Sequence, residues 1–243
     1  MRTALTDLAI NSKELTFRLL RAIAISLDQE KDFFVRCHRK MFTPSCISKL
    51  RSLYYPAISG PVEPGVVRCG EHSGKITSHI YRNVLLIYHR HLQMGWPKWV
   101  YKLIVDYGLI TLLYQDDIGG LEVKGVSNTW TPANPIKDAI LINAGDMLEM
   151  FTNGRLPATL HRVIIPDEEI KKKTTRQSIV FFVHPEHETM ISPLPAFLNE
   201  PENHVDECRT ERAATKTKDF TKGYQSISAL EHVNRRFQAT YQY

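Results

Sequence analysis

Two histidines and one aspartate stand at expected strand edges beside turn signals: His72, Asp106 and His161. Two imidazoles and one carboxylate form the ligand set of the facial triad that holds non-haem iron(II). Three ligands on one face leave three positions free, two for a chelating co-substrate and one for oxygen. Residue type alone does not single these three out, because the chain has 10 histidines. His38, His79, His89, His91, His187, His204 and His232 read as ordinary surface or structural residues. His184, at a strand end before Pro185, reads as structural too. A second anchor lies downstream. Arg176 and Ser178 flank Gln177 at the start of the apolar run IVFFVH, and residues two apart on a strand share a face. Side by side on an inward face, they could grip a carboxylate through charge-assisted hydrogen bonds. Spacing alone fits a solvent-facing Arg at a strand end equally well.

The elements that must position these groups are short and mostly β. Leu8, Leu15, Leu19, Ile23 and Leu27 recur at four- or seven-residue spacing and predict an amphipathic helix over 4–28, with a second short helix from Asp28. Strands are expected over 50–55, 66–71, 110–114, 121–123, 129–131, 139–143, 160–165 and 177–184. Pro, Gly, Asn and Asp punctuate the gaps between them. One helical turn is expected over 147–152, ended by Asn153-Gly154, and a final helix over 226–241. Residues 185–206 read as Pro-rich and irregular. About eight short strands with turns between them favour an all-β sandwich or barrel over a βαβ fold.

Length and composition set the frame. The chain has 243 residues, enough for one sizeable core, and 43% apolar content, which suits a globular protein. The net charge of +5 resides in one segment. Residues 74–105 carry Lys75, Arg82, Arg90, Lys98 and Lys102 with no Asp or Glu, and the remaining chain is neutral. The charge therefore gives no general case for a nucleic-acid or membrane partner. Cys37, Cys46, Cys69 and Cys208 include no Cys-x-x-Cys pair and read as free thiols in a reducing compartment. The first residues hold no secretory signal, and no run approaches the roughly 18 apolar residues of a membrane span. A soluble, cytoplasmic protein is expected.

Three runs taken in order carry a family resemblance. DYGLITLLYQDDIGGLEV, NAGDMLEMFTNGRLPATLHRVI and RQSIVFFVHP resemble the iron(II)- and 2-oxoglutarate-dependent dioxygenases, in their isopenicillin N synthase-like branch. The likeness covers roughly 15–240 and is strongest over 106–185. It implies a mainly β fold with flanking helices, a double-stranded β-helix or jelly-roll barrel. It implies iron(II), 2-oxoglutarate and O2 as cofactor and co-substrates. The family's distal metal histidine matches His161 in LHRV. Its Arg-x-Ser pair matches Arg176 and Ser178, which would grip the far carboxylate of 2-oxoglutarate. Its strand ending in Tyr-Pro matches LRSLYYP, making Tyr55 a further co-substrate contact. Asn153-Gly154 resembles the turn before the distal histidine strand. The expected organisation is a helical lead at 1–46, the barrel at 47–187, and a C-terminal extension and helix at 188–243.

The resemblance breaks at one place. The family's first two metal ligands share a His-x-Asp motif, but here Ile104 stands two before Asp106. Cys69-Gly70-Glu71-His72-Ser73 resembles the run that should lead into Asp106. Removing 74–105 gives CGEHSDYGLITLL, a continuous family motif. The removed segment has no acids and no clear strand alternation, and reads as translated intron or a recent insertion. A loop of this size adds only a modest closure entropy, so His72 and Asp106 can still meet if both ends stay paired. The chain also begins about where the family's helix before the barrel begins, so the family's N-terminal lead is expected to be missing.

The resemblance thus implies a dioxygenase with iron at His72, Asp106 and His161, oxidising a small organic substrate, usually by hydroxylation. The alternative is a catalytically impaired pseudoenzyme or mis-spliced fragment that keeps the barrel. A nucleic-acid or membrane binder working through the basic insert is disfavoured, because the insert lacks a regular amphipathic period.

Overall fold

The structure is a computed structural model that describes residues 2–57, 67–69, 84–88, 106–124, 129–158, 160–165, 173–198 and 224–240. The chain opens with helix α1 (Arg2–Ser26) and the short α2 (Phe33–Arg36). Strands β1 (Lys49–Tyr55), β2 (Val67–Cys69), β3 (Val84–Tyr88), β4 (Ile110–Gln115), β5 (Leu121–Lys124), β6 (Trp130–Pro132) and β7 (Leu141–Ala144) follow. Helix α3 (Asp146–Phe151) leads to β8 (His161–Ile164) and β9 (Arg176–Val183). Strand β10 (Met190–Ile191), a 3-10 turn (Pro195–Phe197), β11 (Ile227–Ser228) and helix α4 (Ala229–Thr240) complete the described elements.

Two sheets form the frame: a five-stranded one in the order β3-β1-β9-β4-β7, and a four-stranded one in the order β2-β8-β5-β6. Strand alternation assigns each sheet its inner face. On the larger sheet Leu53, Tyr55, Leu113 and Val180 share one core with Leu121 and Val163 of the smaller sheet, so the two sheets face each other. On the outer face of the larger sheet, Leu50, Ile110, Leu112, Phe181 and Val183 pack with residues of α1, α2, α3 and α4. The strand count anticipated a β sandwich or barrel, and the resemblance implied the jelly roll with outer helices; two facing sheets with helices outside agree with both.

Helix α1 sits differently from its leucine pattern. The most buried line runs Ala9, Ser12, Thr16, Leu20, Ala24 and Leu27, while Leu8, Leu15, Leu19 and Ile23 flank it. Small side chains at the centre let the helix approach the sheet closely. The Ser12 hydroxyl bonds Tyr114 of β4 at 2.8 Å and donates to the Leu8 carbonyl.

Two expectations change. The segment 74–105 shows no strand alternation, yet β3 within it pairs parallel with β1, Leu50 opposite Val84 through Tyr54 opposite Tyr88. Strands of parallel type read as continuous apolar runs, so a test for alternation misses them. The rest of that segment lies outside the described residues. The region after Pro185 is not wholly irregular either, since β10 pairs with β11 and ties it to the final helix.

Candidate functional site

Arg176, Ser178 and Tyr55 come together at one end of the inner face of the larger sheet. Tyr55 lies opposite Arg176 in the β1–β9 ladder, and Ser178 lies opposite Gln115 in the β4–β9 ladder. Arg176 and Ser178 share the face of Val180, which belongs to the inter-sheet core. Arg176 is 1% exposed, and its guanidinium carbon lies 5.1 Å from the centre of the Tyr55 ring.

Among the described residues, the hydrogen bonds of Arg176 all go to neutral groups. Nε donates to the Gly119 carbonyl at 2.9 Å, one terminal nitrogen to Ser178 Oγ at 3.3 Å, and the other to Gln115 Oε1 at 3.3 Å. A guanidinium has five N–H donors, so two remain. Among the described residues no carboxylate pairs with this cation. A buried charge without a counter-charge is costly, and an anionic ligand resolves that cost. Gly119 supplies its carbonyl from a left-handed turn, φ +79°, that a side chain would strain.

Asp106 leads into β4 and is buried. Its carboxylate accepts a hydrogen bond from the Asn143 side-chain amide at 2.7 Å. Asn143 sits on β7 opposite Thr111. The backbone around Asp106 is clamped to the start of α3. The Asp146 amide donates to the Asp106 carbonyl at 2.8 Å, and the Met147 amide to the Gly108 carbonyl at 3.0 Å. The crossing requires glycine. A Cβ at Gly145 would lie 2.4 Å from the Gly108 carbonyl oxygen, and one at Gly108 would lie 2.3 Å from that of Val183.

His161 opens β8 of the smaller sheet, opposite Val123 of β5. It shares the inner face of Val163, two residues on. Its neighbour Arg162 turns the other way, to Glu122 at 2.7 Å and over the Trp130 ring at 4.2 Å. Strand β2 runs antiparallel to β8, Val67 opposite Ile164 and Cys69 opposite Val163, so the C-terminal end of β2 lies towards the His161 end of β8. His72 lies outside the described residues, and among those described no three His, Cys, Asp or Glu side chains form a metal-holding group.

Helix α3 ties these parts to the rest of the molecule. Glu149 is buried and accepts from the Ala158 amide and the Tyr224 hydroxyl, each at 2.7 Å. Asp146 forms an ion pair with Arg236 of α4 at 2.7 Å and faces His232 at 3.6 Å. Asn153 and Gly154 both have positive φ and close the helix, the Gly154 amide donating to the Glu149 carbonyl. Sequence reading missed Gln115, Gly119, Asn143 and Glu149. The signal available was the period of two: Gln115 falls on the inner face with Thr111 and Leu113.

The sequence profile described as the 2OG-Fe(II) oxygenase superfamily matches residues 101–185. The 2-oxoglutarate-dependent dioxygenase ecdK of Aspergillus rugulosus is 34% identical over 195 residues, covering 77% of this chain and 48% of that protein. The 2-oxoglutarate-dependent dioxygenase 19 of Oryza sativa subsp. japonica is 28% identical, covering 80% of this chain and 45% of that one. Among solved structures, a full-length Neurospora crassa protein in complex with alpha-KG is similar with a TM-score of 0.67 and 26% identity, over 99% of this chain and 57% of that chain. The fold is of the jelly-roll type shared with structures of iron- and 2-oxoglutarate-dependent oxygenases. Residues 101–185 belong to the 2OG-Fe(II) oxygenase superfamily, whose members use Fe(II), 2-oxoglutarate and O2. The chain spans about half the length of the Aspergillus and Oryza relatives.

Proposed function

We propose that this chain is a dioxygenase that couples oxidative decarboxylation of 2-oxoglutarate at Fe(II) to oxidation of a small organic substrate. The observation that carries the reading is Arg176: a buried guanidinium with neutral partners and two uncommitted N–H donors suits one carboxylate held by both oxygens. In this reading Arg176 and Ser178 bind the far carboxylate of 2-oxoglutarate, and the Tyr55 ring stands beside the guanidinium.

The residue types of the assigned metal ligands suit Fe(II). Asp106 offers a carboxylate fixed by Asn143, His161 offers an imidazole on the inner face, and His72 is assigned as the third ligand. When bound, Fe(II) with 2-oxoglutarate and O2 supplies the oxidising chemistry, yielding succinate and carbon dioxide with an oxidised substrate. The protein's part is positional. Arg176 sets the depth of the co-substrate, Asp106 and its clamp set the direction of one ligand, and the facing sheets exclude water.

The relatives support the class of co-substrate and suggest the scale of the substrate. The full-length Neurospora crassa protein has been solved with alpha-KG alone and with alpha-KG and thymine. A small molecule is the substrate class proposed here, and the isopenicillin N synthase-like branch rests on motif order alone. Among the described residues no helix is long and apolar enough to cross a membrane. No observation favours the pseudoenzyme alternative.

The test is iron-dependent succinate production from 2-oxoglutarate, run on this chain and on a version lacking 74–105. Succinate from this chain supports the proposal as stated. Succinate from the shortened version alone restricts the activity to the uninterrupted motif. None from either overturns it.

A further inference from the structure

Gln115 closes β4 at the point where the turn towards Gly119 begins, and its amide is held at both ends. Its oxygen accepts from Arg176 at 3.3 Å, and its nitrogen donates to the Ala133 carbonyl at 3.3 Å. That second bond orients the amide, oxygen towards the cation and NH2 away from it. The Gly119 carbonyl takes Nε of the same guanidinium from the far side of the turn. These two acceptors, with Ser178 Oγ as a third, fix the plane of the Arg176 fork, and none carries a charge. A carboxylate in either place would fix the fork equally well and would also neutralise it.

We propose that Gln115 is a positioning and selectivity residue for the co-substrate. Its neutral amide orients Arg176 while leaving the positive charge and two N–H donors for the distal carboxylate of a 2-oxo dicarboxylic acid. The inference rests on the reading of Arg176 as the co-substrate anchor. Glutamate is nearly isosteric with glutamine, so Gln115→Glu keeps the acceptor and changes the charge. The added carboxylate satisfies Arg176 from within the protein and repels an incoming dicarboxylate across a buried, weakly screened site. A 2-oxo acid of the same length without the distal carboxylate has nothing to lose by the change.

The experiment measures binding of 2-oxoglutarate and of 2-oxopentanoate to the full chain with Mn(II) in place of iron, by calorimetry, alongside melting temperature. The proteins are the parent, Arg176→Met, Gln115→Glu and Gln115→Met. Gln115→Glu is expected to weaken 2-oxoglutarate about 30-fold or more, and 2-oxopentanoate less than about threefold, at an unchanged or raised melting temperature. Gln115→Met removes the orienting acceptor without adding charge, so its 2-oxoglutarate loss should be smaller, about three- to tenfold. This second variant keeps the test open if Gln115→Glu fails to fold. If parent and Arg176→Met bind 2-oxoglutarate alike, the anchor reading and this inference both fall. If Arg176→Met loses 2-oxoglutarate but both Gln115 variants keep it, only the role of Gln115 is overturned. Equal losses for both ligands would also overturn it, since they mark a structural effect.

Discussion

Arg176 of β9 lies opposite Tyr55 of β1, its guanidinium carbon 5.1 Å from the centre of the ring. The guanidinium carbon lies over the ring, while Gly119, Gln115 and Ser178 accept its hydrogen bonds. What remains is a short in-plane fork, which lysine cannot reproduce. Arg176→Lys is therefore expected to weaken 2-oxoglutarate by about 10- to 100-fold. Arg176→Met should weaken it further while leaving the melting temperature unchanged or raised, because it removes a buried charge that has no counter-charge among the described residues. Calorimetric titration paired with thermal denaturation checks both. Retained affinity in Arg176→Met would refute the anchor.

The side-chain amide of Asn143 holds the Asp106 carboxylate at 2.7 Å. Groups that orient a metal ligand matter nearly as much as the ligand itself. Asn143→Ala is expected to weaken Mn(II) or Fe(II) binding by about 10- to 100-fold. Asp106→Ala should abolish it. Metal titration followed by electron paramagnetic resonance of free Mn(II) reads this without any turnover. Unchanged affinity in Asp106→Ala would remove that residue from the metal site.

Gly145 is required by contact. A Cβ there would meet the Gly108 carbonyl oxygen at 2.4 Å and that of Asp106 at 2.8 Å, both backbone atoms. The two segments must separate, breaking the hydrogen bonds donated by the Gly145, Asp146 and Met147 amides that hold the lead into β4. Gly145→Ala should cost about 2–4 kcal/mol of stability and lower metal affinity together. Chemical denaturation measures the first. An alanine variant as stable as the parent would show that the crossing has slack.

The Asp146–Arg236 pair joins α3 to α4, with Asp146 2% exposed. Removing Arg236 takes one cation from the buried Asp146 carboxylate, at a cost of about 1–3 kcal/mol. Arg236→Met should therefore lower the melting temperature and speed proteolysis near α4. Asp146→Asn with Arg236→Met should recover much of the loss, because the buried side chain then carries no charge. A double variant no better than the single one would point to packing rather than charge.

Much of this was legible in the sequence for a physical reason. Strands β1, β4, β8 and β9 alternate or run apolar between turn residues, and Arg176 and Ser178 are two apart on one of them. What escaped depends on tertiary contact. Gln115 and Asn143 are ordinary polar residues until the ladders bring them against Arg176 and Asp106. The buried line of α1 escaped because it is made of Ala, Ser and Thr beside the leucines. Strand β3 escaped because its pattern is continuous.

Two buried histidines predict how the fold responds to acid. His38 is fully buried, and burial pushes its pKa down to about 4, against a smaller opposing effect of its hydrogen bond to the Phe34 carbonyl. His184, beside Gly108, is pushed down to about 3, first by burial and then by the charge of Lys49. In the unfolded chain both return to about 6.5. Between those values the unfolded chain binds more protons, so stability falls as pH falls. The contribution of each is complete above about pH 6.5 and is lost on the way down towards pH 4 for His38 and pH 3 for His184. Melting temperature at fixed ionic strength should therefore decline from pH 6.5 to 4. His38→Gln should flatten the upper part of that decline, since it keeps a donor for Phe34 and cannot protonate. A parent curve that is level across this range, or a variant with the same slope, would contradict the assignment.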